Sequence, residues 1–365
     1  MQFPFIDLSA QYAAYKDEID AAVHQVLNSS MFINGPRVND FEQQMTDYIG
    51  CKASIACSSG TDALLMAFMA LGVGPGDEVV TPSFTFVATA EVVALLGATA
   101  IFADVEYDTG LVNAETLEAV ISPRTKALAP VSLFGQAPEM GPINQLADEY
   151  QLPVVEDAAQ SFGALQVNRR SGAMTPLACT SFFPAKPLGC YGDGGAVLIN
   201  DEQYLEPIRQ IRNHGQSGQY EYARLGINGR LDAIQAAILS VKLNHYQAEC
   251  DRRQTIADRY NTELCQSVQP LQVLASNRSV WAQYTIRTDR RDALQEHLRQ
   301  AGIPCAVYYP RPLHQQEVYR EAAGYPDLPV TERLAGEVLS LPMSPFLKER
   351  DQARVIETIN AFFAE

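Results

Sequence analysis

From about residue 53 the chain alternates short, unbroken apolar runs with stretches in which apolar side chains return every three or four positions. Segments 54–57, 78–81, 99–103, 127–131 and 153–156 read as strands buried on both faces, because their apolar residues run on instead of alternating with polar ones. Segments 61–71, 85–96, 114–121 and 140–150 carry the helical period. Strands separated by helices at this rhythm imply right-handed crossovers and a mostly parallel sheet covered on both faces, an α/β fold.

Segments 179–183 and 196–200, with a glycine-rich turn between them, predict a hairpin that makes the sheet mixed. After Leu231 a long helical pattern runs toward Cys265 and leads out of the large domain. A strand at 281–287, a helix at 292–301, a strand near 306–309 and a terminal helix from about Arg350 predict a smaller α+β unit. The expected division is a large domain over 1–245 and a small C-terminal domain over 246–365. No internal repeat interrupts this pattern.

Composition narrows the partners. A formal net charge of −16 argues against nucleic acid and anionic membrane, both of which need a cationic footprint. No apolar run is long enough to predict a membrane span, and the opening MQFPFIDLSAQY lacks the basic and apolar stretches of a secretory signal. The seven cysteines are scattered, with no C-x-x-C pair and no Cys/His cluster at metal spacing. A reducing, cytoplasmic setting and no metal site are the expectations.

Candidate chemistry sits where strands end, since open α/β sheets bind ligands beyond the carboxyl ends of their strands. Asp157 closes an apolar run in Pro-Val-Val-Glu-Asp. A carboxylate placed there either meets a cation, such as a protonated pyridine nitrogen, or caps the next helix. Lys186 follows another strand between Pro184 and Pro187, with no other cation in its segment. Such a lysine is either a solvated loop residue or a desolvated amine suited to nucleophilic attack. Ser-Ser-Gly60-Thr61 before a helix is an ordinary cap or a phosphate cradle, to which Ser181 adds a hydroxyl. Phe84 and Phe86 follow a strand; Phe84 reads as core and Phe86 as a ring face open to a ligand. The glycines after Lys186 form neither a dinucleotide fingerprint nor a Walker loop, which disfavours a nicotinamide oxidoreductase.

In order, S-G-T-D-A-L, P-S-F-T-F-V-A-T, E-D-A-A-Q-S-F-G, S-F-F-P-A-K-P-L-G and N-G-R-L-D resemble the DegT/DnrJ/EryC1/StrS family of nucleotide-sugar aminotransferases, which depend on pyridoxal 5'-phosphate (PLP). The likeness covers nearly the whole chain and implies PLP fold type I. By that resemblance Lys186 holds PLP covalently and Asp157 pairs with the pyridine nitrogen. Gln160 lies near the cofactor's O3', Phe86 stacks on the ring, and Gly60, Thr61 and Ser181 contact the phosphate. Asn228 matches an asparagine that reaches the phosphate of a neighbouring subunit's cofactor, which implies a homodimer with shared sites.

Some family members are dehydratases with histidine in place of the lysine; Lys186 here implies the aminotransferase branch. The stretch 178–196, with Val-Ser-Leu-Phe-Gly135 and Leu341-Pro-Met343, resembles the subgroup acting on UDP-2-acetamido-2-deoxy-3-oxo-D-glucuronate for bacterial surface polysaccharide such as O-antigen. L-glutamate is the amino donor that this implies, and a dTDP- or UDP-linked keto-deoxyhexose is the alternative acceptor. Arg230, Tyr309 and His314 are the substrate candidates. Arg230 suits a carboxylate or phosphate, and the run from Val307 to His314 resembles a family segment near the substrate, although His314 equally suits a turn cap.

Overall fold

The computed structural model describes residues 3–319 and 327–364. In chain order the main sheet is built from β1 (Ala53–Cys57), β2 (Glu78–Pro82), β3 (Thr99–Ala103), β4 (Thr125–Leu128), β5 (Val155–Asp157), β6 (Leu177–Ser181) and β7 (Gly195–Ile199). β3, β2 and β4 lie side by side and parallel. Parallel bridges from Leu128 to Val154 and from Val131 to Asp157 tie β4 to β5. The sheet then continues through β6 and β7 to β1. Of these strands β7 alone runs against its neighbours, so the sheet is mixed and mostly parallel, with β6 and β7 as the expected hairpin.

Every residue of β2 and β7 is buried, which is why those runs read as unbroken apolar text. One face packs Leu64, Phe68, Val93 and Phe102, and another cluster gathers Phe41, Met45, Phe162, Phe182 and Leu239. Each such side chain sealed from water contributes about 1.5–3 kcal/mol. The covering helices include α1 (Leu8–Ser29), α2 (Pro36–Ile49), α3 (Gly60–Ala70), α4 (Ala88–Leu95) and α5 (Met140–Tyr150). The helix expected from residue 85 starts only at Ala88, because Thr85 and Phe86 first turn along the cavity described below. The Asn34-Gly-Pro turn opens α2, with Gly35 at φ 84° and Pro36 in the first turn.

α6 (Ala233–Glu263) runs unbroken past residue 245. It gives Tyr246 to a core beside the main sheet and Ile256 and Tyr260 to the next one. That next core lies under an antiparallel sheet of β8 (Gln269–Pro270), β9 (Tyr284–Arg287) and β10 (Val338–Leu341), with α7 (Arg291–Gln300) and α8 (Glu349–Ala364) packed on it. The strand expected near 306–309 is reduced to one bridge, Ala306 with Ser340; Tyr308 and Tyr309 instead line the cavity. Among the described residues no helix is long and apolar enough to cross a membrane.

Candidate active site

The parallel strands deliver their carboxyl ends to one edge, and there a cavity of about 380 Å³ opens. Eight of the sequence-selected residues share its wall: Gly60, Thr61, Phe86, Asp157, Gln160, Ser181, Lys186 and Tyr309. They come from turns far apart in the chain, which the sheet order alone brings together.

Asp157 is 6% exposed. Its backbone is fixed from both neighbouring strands: its N–H donates to Pro130, its carbonyl accepts from Ser132, and the next N–H donates to Cys179. The carboxylate accepts a hydrogen bond of 2.6 Å from Thr89 Oγ1 on α4 and one of 3.1 Å from the Ala159 N–H. These bonds go to the charged form and hold it aimed into the cavity.

Lys186 lies in a tight turn closed by its own N–H to Phe183 O at 2.8 Å. Burial holds its amine below the ordinary lysine range, and the Asp157 charge partly opposes that shift. A lowered pKa leaves more of the amine as free base, the form that attacks a carbonyl.

The anion end is built by α3. Ser59 caps it, its Oγ accepting from the Asp62 N–H at 3.0 Å. The N–H groups of Gly60 and Thr61 stand in the first turn, where no residue of the same helix accepts from them. A side chain at Gly60 would place its Cβ 2.6 Å from Ser181 Cβ, and one at Gly195 would lie 2.4 Å from the Ser59 carbonyl carbon. Bare backbone is therefore required for β1, β6 and β7 to close around this cradle.

The aromatic pair splits as the sequence suggests: Phe84 is 1% exposed and Phe86 53%. The Phe86 ring stands 6.3 Å from that of Tyr309. Gln160 is fixed at both ends of its amide, accepting from the Phe134 N–H at 2.9 Å and donating to Tyr309 OH at 3.1 Å. Burial pushes the Tyr309 phenol far above its usual range, so it stays protonated.

Asn228, Arg230 and His314 stand outside this wall. Asn228 is exposed and bridges to Asn213. Arg230 donates to Asn213 Oδ1 at 2.8 Å, while its Nε is buried without a hydrogen-bond partner. His314 is buried, with Nδ1 at 2.7 Å from Ser83 Oγ and Nε2 at 3.1 Å from Glu332. Sequence reasoning missed Thr89, although it lies within the quoted P-S-F-T-F-V-A-T, as well as Phe183, Gln283 and Tyr308, which also line the cavity. Thr89 announces itself only through its position opposite Asp157, a contact between residues sixty-eight positions apart.

A carboxylate, a depressed amine, an open ring face and a helix N-terminus around one space fit PLP. The carboxylate suits a pyridinium, the amine an aldehyde, and the helix terminus a phosphate.

The model of the DegT/DnrJ/EryC1/StrS aminotransferase family matches residues 13–360. A Pseudomonas aeruginosa relative named UDP-2-acetamido-2-deoxy-3-oxo-D-glucuronate aminotransferase is 49% identical over 344 residues, 94% of this chain and 95% of that protein. The crystal structure of a DegT DnrJ EryC1 StrS aminotransferase from Brucella abortus superposes with a TM-score of 0.97 at 45% identity, covering 100% of both chains. S. venezuelae DesV, solved in complex with a ketimine intermediate, gives 0.97 at 38% identity, covering 100% of this chain and 99% of that one.

Proposed function

This chain belongs to the DegT/DnrJ/EryC1/StrS aminotransferase family, and from that premise we propose that it uses PLP to move an amino group from L-glutamate to C3 of UDP-2-acetamido-2-deoxy-3-oxo-D-glucuronate. The observation that carries the reading is Asp157, at the end of β5, and Lys186, in the turn after the neighbouring β6, facing one cavity. The Pseudomonas aeruginosa relative supports the choice of sugar, and with it a role in building a bacterial surface polysaccharide.

PLP, when bound, supplies an electron sink that lets a C–H bond next to nitrogen ionise. Lys186 would be its covalent attachment point. Its amine, once free, would be the base that moves the proton at the donor's Cα. Asp157, clamped by Thr89, would pair with the pyridine nitrogen and favour its protonated form. Gly60, Thr61 and Ser181 would hold the phosphate, Phe86 would cover the ring, and Gln160 would orient the ring's oxygen. Tyr309, linked to Gln160, lies where an incoming sugar meets the cofactor. The acceptor half uses the same residues in reverse order, so the kinetics are ping-pong.

Lys186 is the one cation among the described residues lining the cavity, whereas phosphate and nucleotide bring several negative charges. We infer that a second copy completes the site, with Asn228 reaching its neighbour's phosphate and Arg230 available to the acceptor. The exposed Met31, Phe32 and Ile33, together with Tyr220, Tyr222 and Leu225, supply apolar surface for such a homodimer. All seven cysteines are unpaired, which supports a reducing, cytoplasmic location.

The test is to load the protein with PLP, convert it with glutamate, and offer UDP- and dTDP-linked keto sugars. An amino product at C3 of the UDP-glucuronate derivative is expected. Amination of a dTDP-deoxyhexose alone would overturn the choice of sugar.

A further inference from the structure

α6 turns a charged seam toward the core. Lys242, Glu249 and Arg253 stand seven and then four residues apart, about two turns and one turn, so they share one face of the helix. They are 2%, 5% and 6% exposed. Apolar residues of similar volume at such positions are commonly neutral or stabilising, because buried charge loses its hydration. The seam therefore calls for a reason beyond stability.

Its hydrogen bonds supply one. Lys242 Nζ donates to the Gly189 carbonyl and sits 4.6 Å from the Tyr191 ring centroid. Arg253 Nη2 donates at 3.2 Å to the Pro187 carbonyl and at 3.2 Å to Glu249. Glu249 in turn accepts from Gln11 on α1 at 2.8 Å. Both carbonyls belong to the turn that carries Lys186, just beyond the lysine itself. Pro184 and Pro187 stiffen that turn but donate no backbone hydrogen bond to anchor it. A Cβ at Gly189 would lie 2.4 Å from the Pro184 carbonyl oxygen, so the turn closes on itself tightly. Beside Lys186 a chamber of about 20 Å³, also bounded by Gln11, Arg253 and Pro187, leaves room for about one water.

We propose that Lys242 and Arg253 are positioning residues that tie the Gly189 and Pro187 carbonyls to α6 and so fix where the Lys186 amine meets its cofactor. The proposal rests on Lys186 being the covalent attachment point. It assigns no direct contact with cofactor or substrate to either cation.

The experiment compares the full-length wild type with Lys242→Met, Arg253→Met and Arg253→Lys. Three quantities are read: melting temperature, amide hydrogen exchange over residues 183–190 without cofactor, and the rate of covalent PLP attachment followed by absorbance. Lys242→Met is expected to keep or raise the melting temperature, since it removes a buried charge. It is also expected to speed exchange in that turn and slow attachment by about tenfold or more, the scale on which misplacement costs rate. Arg253→Lys should recover most of what Arg253→Met loses, because an ammonium also donates to both partners. Unchanged exchange and attachment in Lys242→Met would overturn the proposal, as would losses spread over the whole chain with a lower melting temperature. Wild-type attachment at a lysine other than Lys186 would refute the functional reading instead, while exchange in the cofactor-free turn still decides whether the cations hold it.

Discussion

At the scale of single residues the site depends on charges kept where water would not leave them. Asp157 stays useful because Thr89 and the Ala159 N–H hold it. Asp157→Asn is expected to lower kcat/KM for the glutamate half-reaction by about 10–1000-fold, the equivalent of removing a charge partner that moves a pKa by 1–3 units. Stopped-flow absorbance checks it. Thr89→Val should cost about tenfold or somewhat more by removing one bond to a charged acceptor, with the melting temperature little changed. The sequence exposed Asp157 and Lys186 because their polar types interrupt apolar text. Phe84 and Phe86 were separable because a residue two positions further from the strand leaves its cover. Thr89 was not legible, since its role is a distance across the fold. Arg230 and His314 look alike in text, yet Ser83 and Glu332 engage both nitrogens of the His314 ring, while the Arg230 Nε is left buried without a partner.

At the scale of elements, the site exists because Gly60 and Gly195 let the first turn of α3 pack tightly against β6 and β7. Gly195→Ala would push a methyl against the Ser59 backbone, which cannot move without moving the first turn of α3. The expected outcome is PLP affinity reduced about tenfold or more and a melting temperature lower by several degrees, as for a core overpacked by about 1–3 kcal/mol; equilibrium dialysis and thermal unfolding test both. Lys242 on α6 adds a pH signature. Burial lowers its pKa from 10.5 to about 8. Below about pH 8 both native and unfolded chains carry this proton, and native burial of the charge costs stability. Between about 8 and 10.5 the unfolded chain binds more protons than the native one, so stability rises with pH. Wild type should accordingly gain on Lys242→Met across that window, as urea titrations at several pH values would show; a widening deficit would contradict it.

The same scale explains what the pattern of apolar residues revealed. Strands buried on both faces and helices between them were plain. α2 carries a helical stripe in Val38, Phe41, Met45 and Ile49, although the elements expected from the sequence begin only near residue 53. α1 was faint, because among its twenty-two residues only Gln11, Ile19 and Val26 are buried. β10 was lost because four residues directly after a helix carry too little period. The segment 306–309 read as a strand because Val307, Tyr308 and Tyr309 are strand-forming types; the fold instead spends the two tyrosines on the cavity wall.

At the scale of the whole molecule, a chain of net charge −16 must bind polyanionic substrates. In the proposed reading, helix N–H groups, Lys186 and a neighbour's loop in the homodimer gather around one opening to do so. Mixing Lys186→Ala chains with Asn228→Ala chains tests that sharing: if Asn228 serves the opposite subunit, hybrids contain one intact site and regain turnover that neither parent has. No recovery would mean that Asn228 serves its own chain or no site. The most direct measurement of the central claim is borohydride reduction of the PLP-loaded protein followed by peptide mass mapping. The expected result is a stable cofactor adduct on Lys186, absent from Lys186→Ala, which also loses amino transfer. An adduct on any other lysine, or amino transfer that survives in Lys186→Ala, would contradict it.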